Sequence, residues 1–390
     1  MRSSVRSLSS RLVPALLALA ACQPAPDVLA QLAGTPSPQP ASTSGVVTVE
    51  TVARGLVNPW GLAFLPDGRM LVTERPGRLR IVGVDGALSA PVGGVPTVAA
   101  SGQGGLLDVE LDPQFASNAL VYLSYAEPGD GGAGTAVARG RLEGNALVDV
   151  QVIYRQRPKV RGSGHFGSRL VFARNGALFI TQGDRQGYRE RAQDLGSGIG
   201  KIVRVHPDGS VPVDNPFADR DDALPEIWSY GHRNAQGAAL HPGTGQLWTV
   251  EHGARGGDEL NHPEPGLNYG WPVITYGRDY SGFSIGQGTA KAGMEQPVYY
   301  WDPVIAPSGM AFYTGDRYDG WRGSVLIGSL SPGLLVRLEL ANGRVVRETR
   351  YLGELRERIR EVAEGPDGFV YLLTDSPDGR VLRVVPTPPR

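Results

Sequence analysis

GLAFLPDGRMLVTE (61–74) joins two short apolar strands through a Pro-Asp-Gly turn, and the chain says the same thing six times. The other copies are LDVELDPQFASNALVYLSY (107–125), LVFARNGALFITQGD (170–184), GAALHPGTGQLWTVEHG (237–253), GMAFYTGDRYDGWRGSVLIGS (309–329) and EVAEGPDGFVYLLTD (361–375). Their starts fall 46, 63, 67, 72 and 52 residues apart, too irregular for a stacked solenoid but natural for propeller blades with long loops. The fold expected is all-β: a six-bladed β-propeller of four-stranded antiparallel blades.

Composition agrees. The 54 glycines and 31 prolines in 390 residues are turn formers in excess of what a helical protein tolerates, and no long stretch keeps a period of 3.6. The net charge of −1, with no basic run, leaves no footprint for a nucleic-acid partner. The last repeat accounts for strands at 361–364, 369–374 and 380–385, one too few. VVTVETVA (46–53) alternates without a partner of its own and is expected to supply the missing strand, closing the ring.

The N-terminus reads differently. Arg2, Arg6 and Arg11 precede an apolar run from Leu12 to Ala21, the layout of a secretory signal too short to span a bilayer. Leu19-Ala-Ala-Cys22 looks like a lipoprotein box, so residues 1–22 are expected to be a signal cut before a lipidated Cys22; an ordinary signal with an incidental cysteine is the alternative. Cys22 is the one cysteine of the chain, which excludes an internal disulfide. Residues 23–45, rich in Pro, Ser and Ala, read as a disordered tether, leaving 46–390 as one propeller of roughly 57 residues per blade. A periplasmic or cell-envelope location, with membrane contact through the lipid alone, follows as an expectation.

In an up-and-down blade the start of the first strand and the end of the second share one face of the disc. The polar residues of the chain collect at those positions: Gln103, His165, Arg233-Asn234, Arg358 and Arg360 before first strands, Asp184, Glu251-His252 and Asp375 after second strands. A single central pocket is therefore expected. His165 and Asp184 bracket one hairpin and make the best candidate for a base with its orienting carboxylate, against the alternative of a packed histidine. His206, His241 and His262 sit in turn or surface contexts, and His232 reads as packing. Arg233 with Asn234 suits a carbonyl or carboxylate ligand, or else a structural salt bridge. The segment Glu251–Glu259 followed by Asn268-Tyr269 offers carboxylates and exposed carbonyls, the oxygen-rich donors that calcium takes. Zinc spacing and a phosphate-binding glycine loop are both missing from the sequence.

GQGGLL (102–107), SGHFGSRL (163–170), Gly183-Asp184, YGHRN (230–234), NYGWP (268–272) and Arg358-Ile-Arg360 together resemble the soluble quinoprotein glucose dehydrogenase family, and within it the periplasmic PQQ-dependent aldose sugar dehydrogenases. The likeness runs from about 50 to 385 with the motifs in family order. It implies pyrroloquinoline quinone (PQQ) and Ca2+ as cofactors, an aldose sugar as substrate and an external electron acceptor; the calcium-linked dimerisation segment of glucose dehydrogenase is not evident in this sequence, so a monomer is expected. It further implies His165 as the base at the C1 hydroxyl, Asp184 as its support and Arg233 as the charge that polarises the quinone. Gln103, Arg233, Asn234, Tyr280, Ser331, Arg358 and Arg360 would hold the cofactor; Gly253 and Ala254 would offer backbone carbonyls to the cofactor calcium, and Glu259 with the Tyr269 carbonyl would bind calcium nearby. Ala254 stands where glucose dehydrogenase has proline, Val304 where it has threonine, and Ser331 where it has a cofactor-binding lysine, so a cation is missing. Two rivals remain open at this stage: a calcium-dependent lactonase, whose mark would be Asp, Glu and Asn side chains converging on the axis, and a propeller that binds without catalysing.

Overall fold

The computed structural model describes residues 41–42 and 47–387. Residues 1–22, expected to be a signal ending at Cys22, lie outside the described residues, as does most of 23–45, of which Ala41–Ser42 pairs in parallel with Thr349 and Arg350.

All six repeats are the inner hairpins of antiparallel sheets arranged as a six-bladed propeller. Their strands are Pro59–Phe64 with Met70–Glu74, Leu106–Leu111 with Leu120–Gly129, Gly167–Phe172 with Leu178–Gln182, Ala235–Leu240 with Leu247–Glu251, Pro307–Phe312 with Val325–Ser329, and Ile359–Glu364 with Val370–Thr374. Each innermost strand packs against that of the next blade, and the sixth against the first. Val47–Leu56 pairs antiparallel with Gly379–Pro386, so the closing strand takes its expected place in the sixth blade. In the first blade Arg78–Val82 is the third strand, and 88–92 runs irregularly along its edge through Ser89 N–H to Ile81 O and Val92 N–H to Leu79 O, both 2.8 Å.

The turn chemistry explains why the hairpins form where they do. In LPDGR, ARNGA and GPDGF the residue before the turn exchanges hydrogen bonds across it, and Gly68, Gly176 and Gly368 take φ of 86°, 84° and 78°, a region other residues enter at a cost. Apolar side chains of consecutive blades then interdigitate: Leu71, Leu79, Val109, Val121 and Leu123 form one such core, each contributing about 1.5–3 kcal/mol by leaving water.

Every inner hairpin carries a register shift near the start of its first strand, as between Pro59 and Leu62, Leu106 and Val109, and Gly167 and Leu170. In the first three blades a hydroxyl sits opposite the bulge and locks it to the next blade. Thr73 accepts from Gly61 N–H and donates to Leu107 O; Ser124 accepts from Asp108 N–H and donates to Ser168 O; Thr181 accepts from Arg169 N–H and donates to Ala235 O. The bulges turn charged side chains onto the axis, where Arg169 meets Asp108 at 2.8 Å, pairs with Glu361 and lies 4.3 Å over the Trp60 ring. This buried strut fixes the inner ends of blades two, three and six and forms the floor beneath the polar loops.

Candidate active site

Loops from five blades meet on the face expected. His165, at φ 51°, precedes the inner strand of the third blade and Asp184 follows its second strand. A side chain on Gly183 would collide with the His165 carbonyl, which is why glycine precedes the aspartate. The His165 Nδ1–H donates to Asp184 Oδ1 at 2.6 Å, and the other carboxylate oxygen accepts from Trp271 Nε1–H at 2.8 Å. Gln186 N–H adds a third bond to Asp184 at 2.7 Å. These partners fix the imidazole tautomer, since an ionised carboxylate accepts only, and among the described residues His165 Nε2 has no hydrogen-bond partner. Burial drives the His165 pKa below its ordinary value, aided by Arg233 and Arg185 and opposed by Asp184. Burial alone would raise Asp184, but His165 and Arg233 outweigh it and hold the carboxyl low.

Arg233 and Asn234 lead into the fourth blade. Arg233 N–H donates to Glu251 at 2.7 Å, its Nη1 to His252 O at 3.0 Å, and its guanidinium lies 5.2 Å over Trp271. Asn234 Oδ1 accepts from Gly167 N–H at 3.1 Å, and Gln103 Oε1 accepts from His165 N–H at 2.8 Å. Arg358 and Arg360, from the sixth blade, both pair with Asp375, at 3.2 and 2.7 Å. Burial pushes Asp375 up, but Arg360, Arg75 and Arg358 overcome that and hold it far below the carboxylate range.

The would-be metal ligands gather beside Arg233. Glu251, Gly253, Glu259 and Tyr269 line one narrow cavity with Arg233 and His252. Asp258 holds the Gly253–Ala254 loop through Gly253 N–H at 2.8 Å and ties it to Ile305 and Ala306 N–H, each at 2.7 Å. Burial, with Glu251 alongside, lifts Glu259 to about 8, and among the described residues its carboxyl bonds Asn261 at 3.1 Å. Among the described residues no group of three or more His, Cys, Asp or Glu side chains is arranged around a metal position, so backbone carbonyls would have to complete a site here.

Of the remaining cofactor candidates, Tyr280 stands apart from this convergence and Ser331 lies at its edge. Tyr280 is 69% exposed on the turn 278–284, and Ser331 lies in an exposed turn where Leu330 O accepts from Arg358 Nη1 at 3.2 Å. The structure gives roles to three residues that the sequence placed at this face or in a motif without assigning one. Trp271 supports Asp184, Glu251 supports Arg233, and His252 accepts from Arg233 through its carbonyl, its pKa pushed down to about 3 by burial and then by Arg233, His165 and Arg360. The Glu251 signal was readable: His232 and Glu251 repeat the 19-residue spacing of His165 and Asp184.

Several buried polar atoms at this face lack a hydrogen-bond partner among the described residues, as do others elsewhere in the fold. Arg233 Nε, Asn234 Nδ2, His252 Nε2, Arg360 Nε and both amide atoms of Gln182 are of this kind, and native proteins leave few such groups unsatisfied. Three guanidiniums around one carboxylate, with further unpaired donors nearby, fit a flat polyanion with carbonyl groups.

Comparison with known proteins agrees with that geometry. The chain is 48% identical over 346 residues to aldose sugar dehydrogenase YliI of Escherichia coli (strain K12), an alignment covering 87% of this chain and 93% of that protein. The crystal structure of the soluble aldose sugar dehydrogenase from Escherichia coli in its apo form superposes with a TM-score of 0.85 at 47% identity, over 87% of this chain and 99% of the other. The PQQ-bound form of aldose sugar dehydrogenase from Streptomyces coelicolor superposes at 0.71 with 30% identity, over 87% and 99%. With its profile matched across residues 56–383, the chain belongs to the Glucose / Sorbosone dehydrogenase family.

Proposed function

We propose that this protein oxidises the C1 hydroxyl of aldose sugars to lactones, using PQQ with calcium, and that an external acceptor closes the cycle. The observation that carries the reading is His165: a buried imidazole held through Nδ1 by Asp184, its Nε2 free, among unpartnered polar atoms and beside Arg233. The relatives whose names specify a quinoprotein or a PQQ-bound form support the cofactor.

Gln103, Arg233, Asn234, Arg358 and Arg360 would hold the quinone, and the charge of Arg233 would polarise it. When bound, the cofactor supplies the two-electron acceptor for a hydride. The protein supplies the rest. His165 Nε2 takes the proton of the anomeric hydroxyl; burial keeps the ring neutral beforehand, and Asp184 stabilises the imidazolium that forms. Trp271 keeps Asp184 from turning away. Arg233 directs fixed positive charge at the face where negative charge develops, with no reorganisation needed. Glu259 and the Tyr269 carbonyl, with the carbonyls of Gly253 and Ala254, offer calcium hard oxygen donors; no cation pairs with Glu259 among the described residues. All these residues come from one chain, so a monomer suffices. The N-terminal signal and Cys22 carry the companion reading of a lipid-anchored protein of the cell envelope.

A lactonase would gather acidic side chains as metal ligands at this face. The axial carboxylates Asp108 and Glu361 instead close on Arg169 in the floor. The deciding experiment adds PQQ and calcium chloride to purified protein and follows dye reduction with a panel of aldoses. Sugar-dependent reduction requiring PQQ is expected. A protein that reduces dye with no aldose, yet hydrolyses lactones with calcium, would overturn the proposal.

A further inference from the structure

We infer that Arg75 is a cofactor-binding residue, supplying the third cationic contact for the carboxylates of the quinone in place of the lysine that the family resemblance leads one to expect where Ser331 stands. The inference rests on the proposed function and deepens it. Nothing in the sequence motifs points to Arg75, which follows the second strand of the first blade, far along the chain from both Arg358 and Ser331.

The geometry brings it to the same place. Arg75 Nη2 lies 3.4 Å from Asp375 Oδ1, while Arg358 and Arg360 take Asp375 Oδ2 at 3.2 and 2.7 Å. Three guanidiniums from two blades thus share one buried carboxylate, an excess of two positive charges. Arg75 is also tied to the rest of the cradle: its Nη1 donates to Gly102 O at 2.6 Å, next to Gln103, whose side chain holds the His165 backbone. Its backbone is fixed between blades, with the N–H on Asn58 O and the carbonyl accepting from Leu106 N–H, both at 3.1 Å. The side chain is 21% exposed, yet its Nε is buried with no hydrogen-bond partner among the described residues. Arg75, Asn58 and Gly102 wall a polar hollow open to solvent.

A surface ion pair would account for one contact with Asp375 but not for this crowding. Like charges are gathered only where something offsets their repulsion, and one carboxylate cannot neutralise three guanidiniums. A ligand bearing several carboxylates can, and the fork geometry of arginine suits it. Ser331 carries no charge, so the cation count of the cradle is restored from the opposite side of Asp375 rather than from the fifth blade.

The test is calorimetric titration of PQQ, with calcium in excess, into purified apo-protein. Arg75→Gln is expected to weaken binding by about tenfold or more and to flatten its salt dependence. Arg75→Lys should retain most of the affinity, and adding Ser331→Lys to Arg75→Gln should recover it. Arg75→Met repeats the measurement if thermal melting shows that the glutamine variant has lost its fold. An unchanged affinity in Arg75→Gln alongside a loss in Arg358→Gln would overturn the role of Arg75 and leave the proposed function standing, as would failure of Ser331→Lys to restore binding. Wild-type protein that takes up no PQQ would overturn both.

Discussion

The third and fourth blades each hold a histidine bonded through Nδ1 to a carboxylate 19 residues later, and only one of the two can take a proton from a ligand. His165 keeps Nε2 unpartnered. His232 spends its Nε2 on Ser229 Oγ at 2.8 Å, stacks on Tyr269 at 4.9 Å and is fully buried. A Ser-His-Glu chain results that is complete within the protein, and Glu251 in turn bonds Arg233 N–H and Asn261. The blade motif therefore yields a pair either way. Whether it becomes a base or a brace depends on where the second ring nitrogen points, which neighbouring blades decide.

The widest separation between the two is expected in turnover. His165→Gln should lower dye reduction by about 10²–10⁴-fold with PQQ affinity little changed, whereas His232→Gln should cost less than about tenfold. Equal losses would break the distinction. Asp184→Asn comes next: an amide no longer forces the proton onto Nδ1, and a loss of about 10²-fold or more is expected in the same assay. In stability the order reverses. His232→Ala leaves Ser229 and Glu251 buried without their partner and should cost about 2–3 kcal/mol in urea unfolding, well beyond the effect of His165→Ala.

The smallest effect is in pH. Because burial, Arg233 and Arg185 depress the His165 pKa against the pull of Asp184, the rate should rise with pH to a plateau along a limb centred below the ordinary histidine value. Asp184→Asn removes the opposing charge and should move that limb to lower pH. For stability the sign is the same: the unfolded ring binds its proton more readily, so the contribution is intact above the ordinary histidine value and is lost as pH falls from there through the lower folded pKa. A limb that moves upward in Asp184→Asn would show that another group titrates.

Strand pairing was legible because it is local. GLAFLPDGRMLVTE carries its apolar runs and its turn within one span, and the hairpin 59–74 follows from them with limits shifted by a residue or two. VVTVETVA was legible for a different reason: an alternating strand without a neighbour must find an edge, and a ring leaves one. His165 and Asp184 could be paired from sequence since both flank one hairpin. Arg75 could not, because its link to Asp375 spans 300 positions of chain and leaves no spacing to read. Trp271 was quoted as part of a motif, but its bond to Asp184 comes from a loop of the next blade.

The amino-acid order alone thus settled six hairpins, their closure and the face on which polar residues would gather, since turn residues and strand alternation act over a dozen positions. The folded ring decided which histidine stays free, how many arginines share one aspartate, and that Tyr280 stands out in solvent. Those outcomes depend on contacts between blades, where burial and charge are set by residues that sequence distance does not connect.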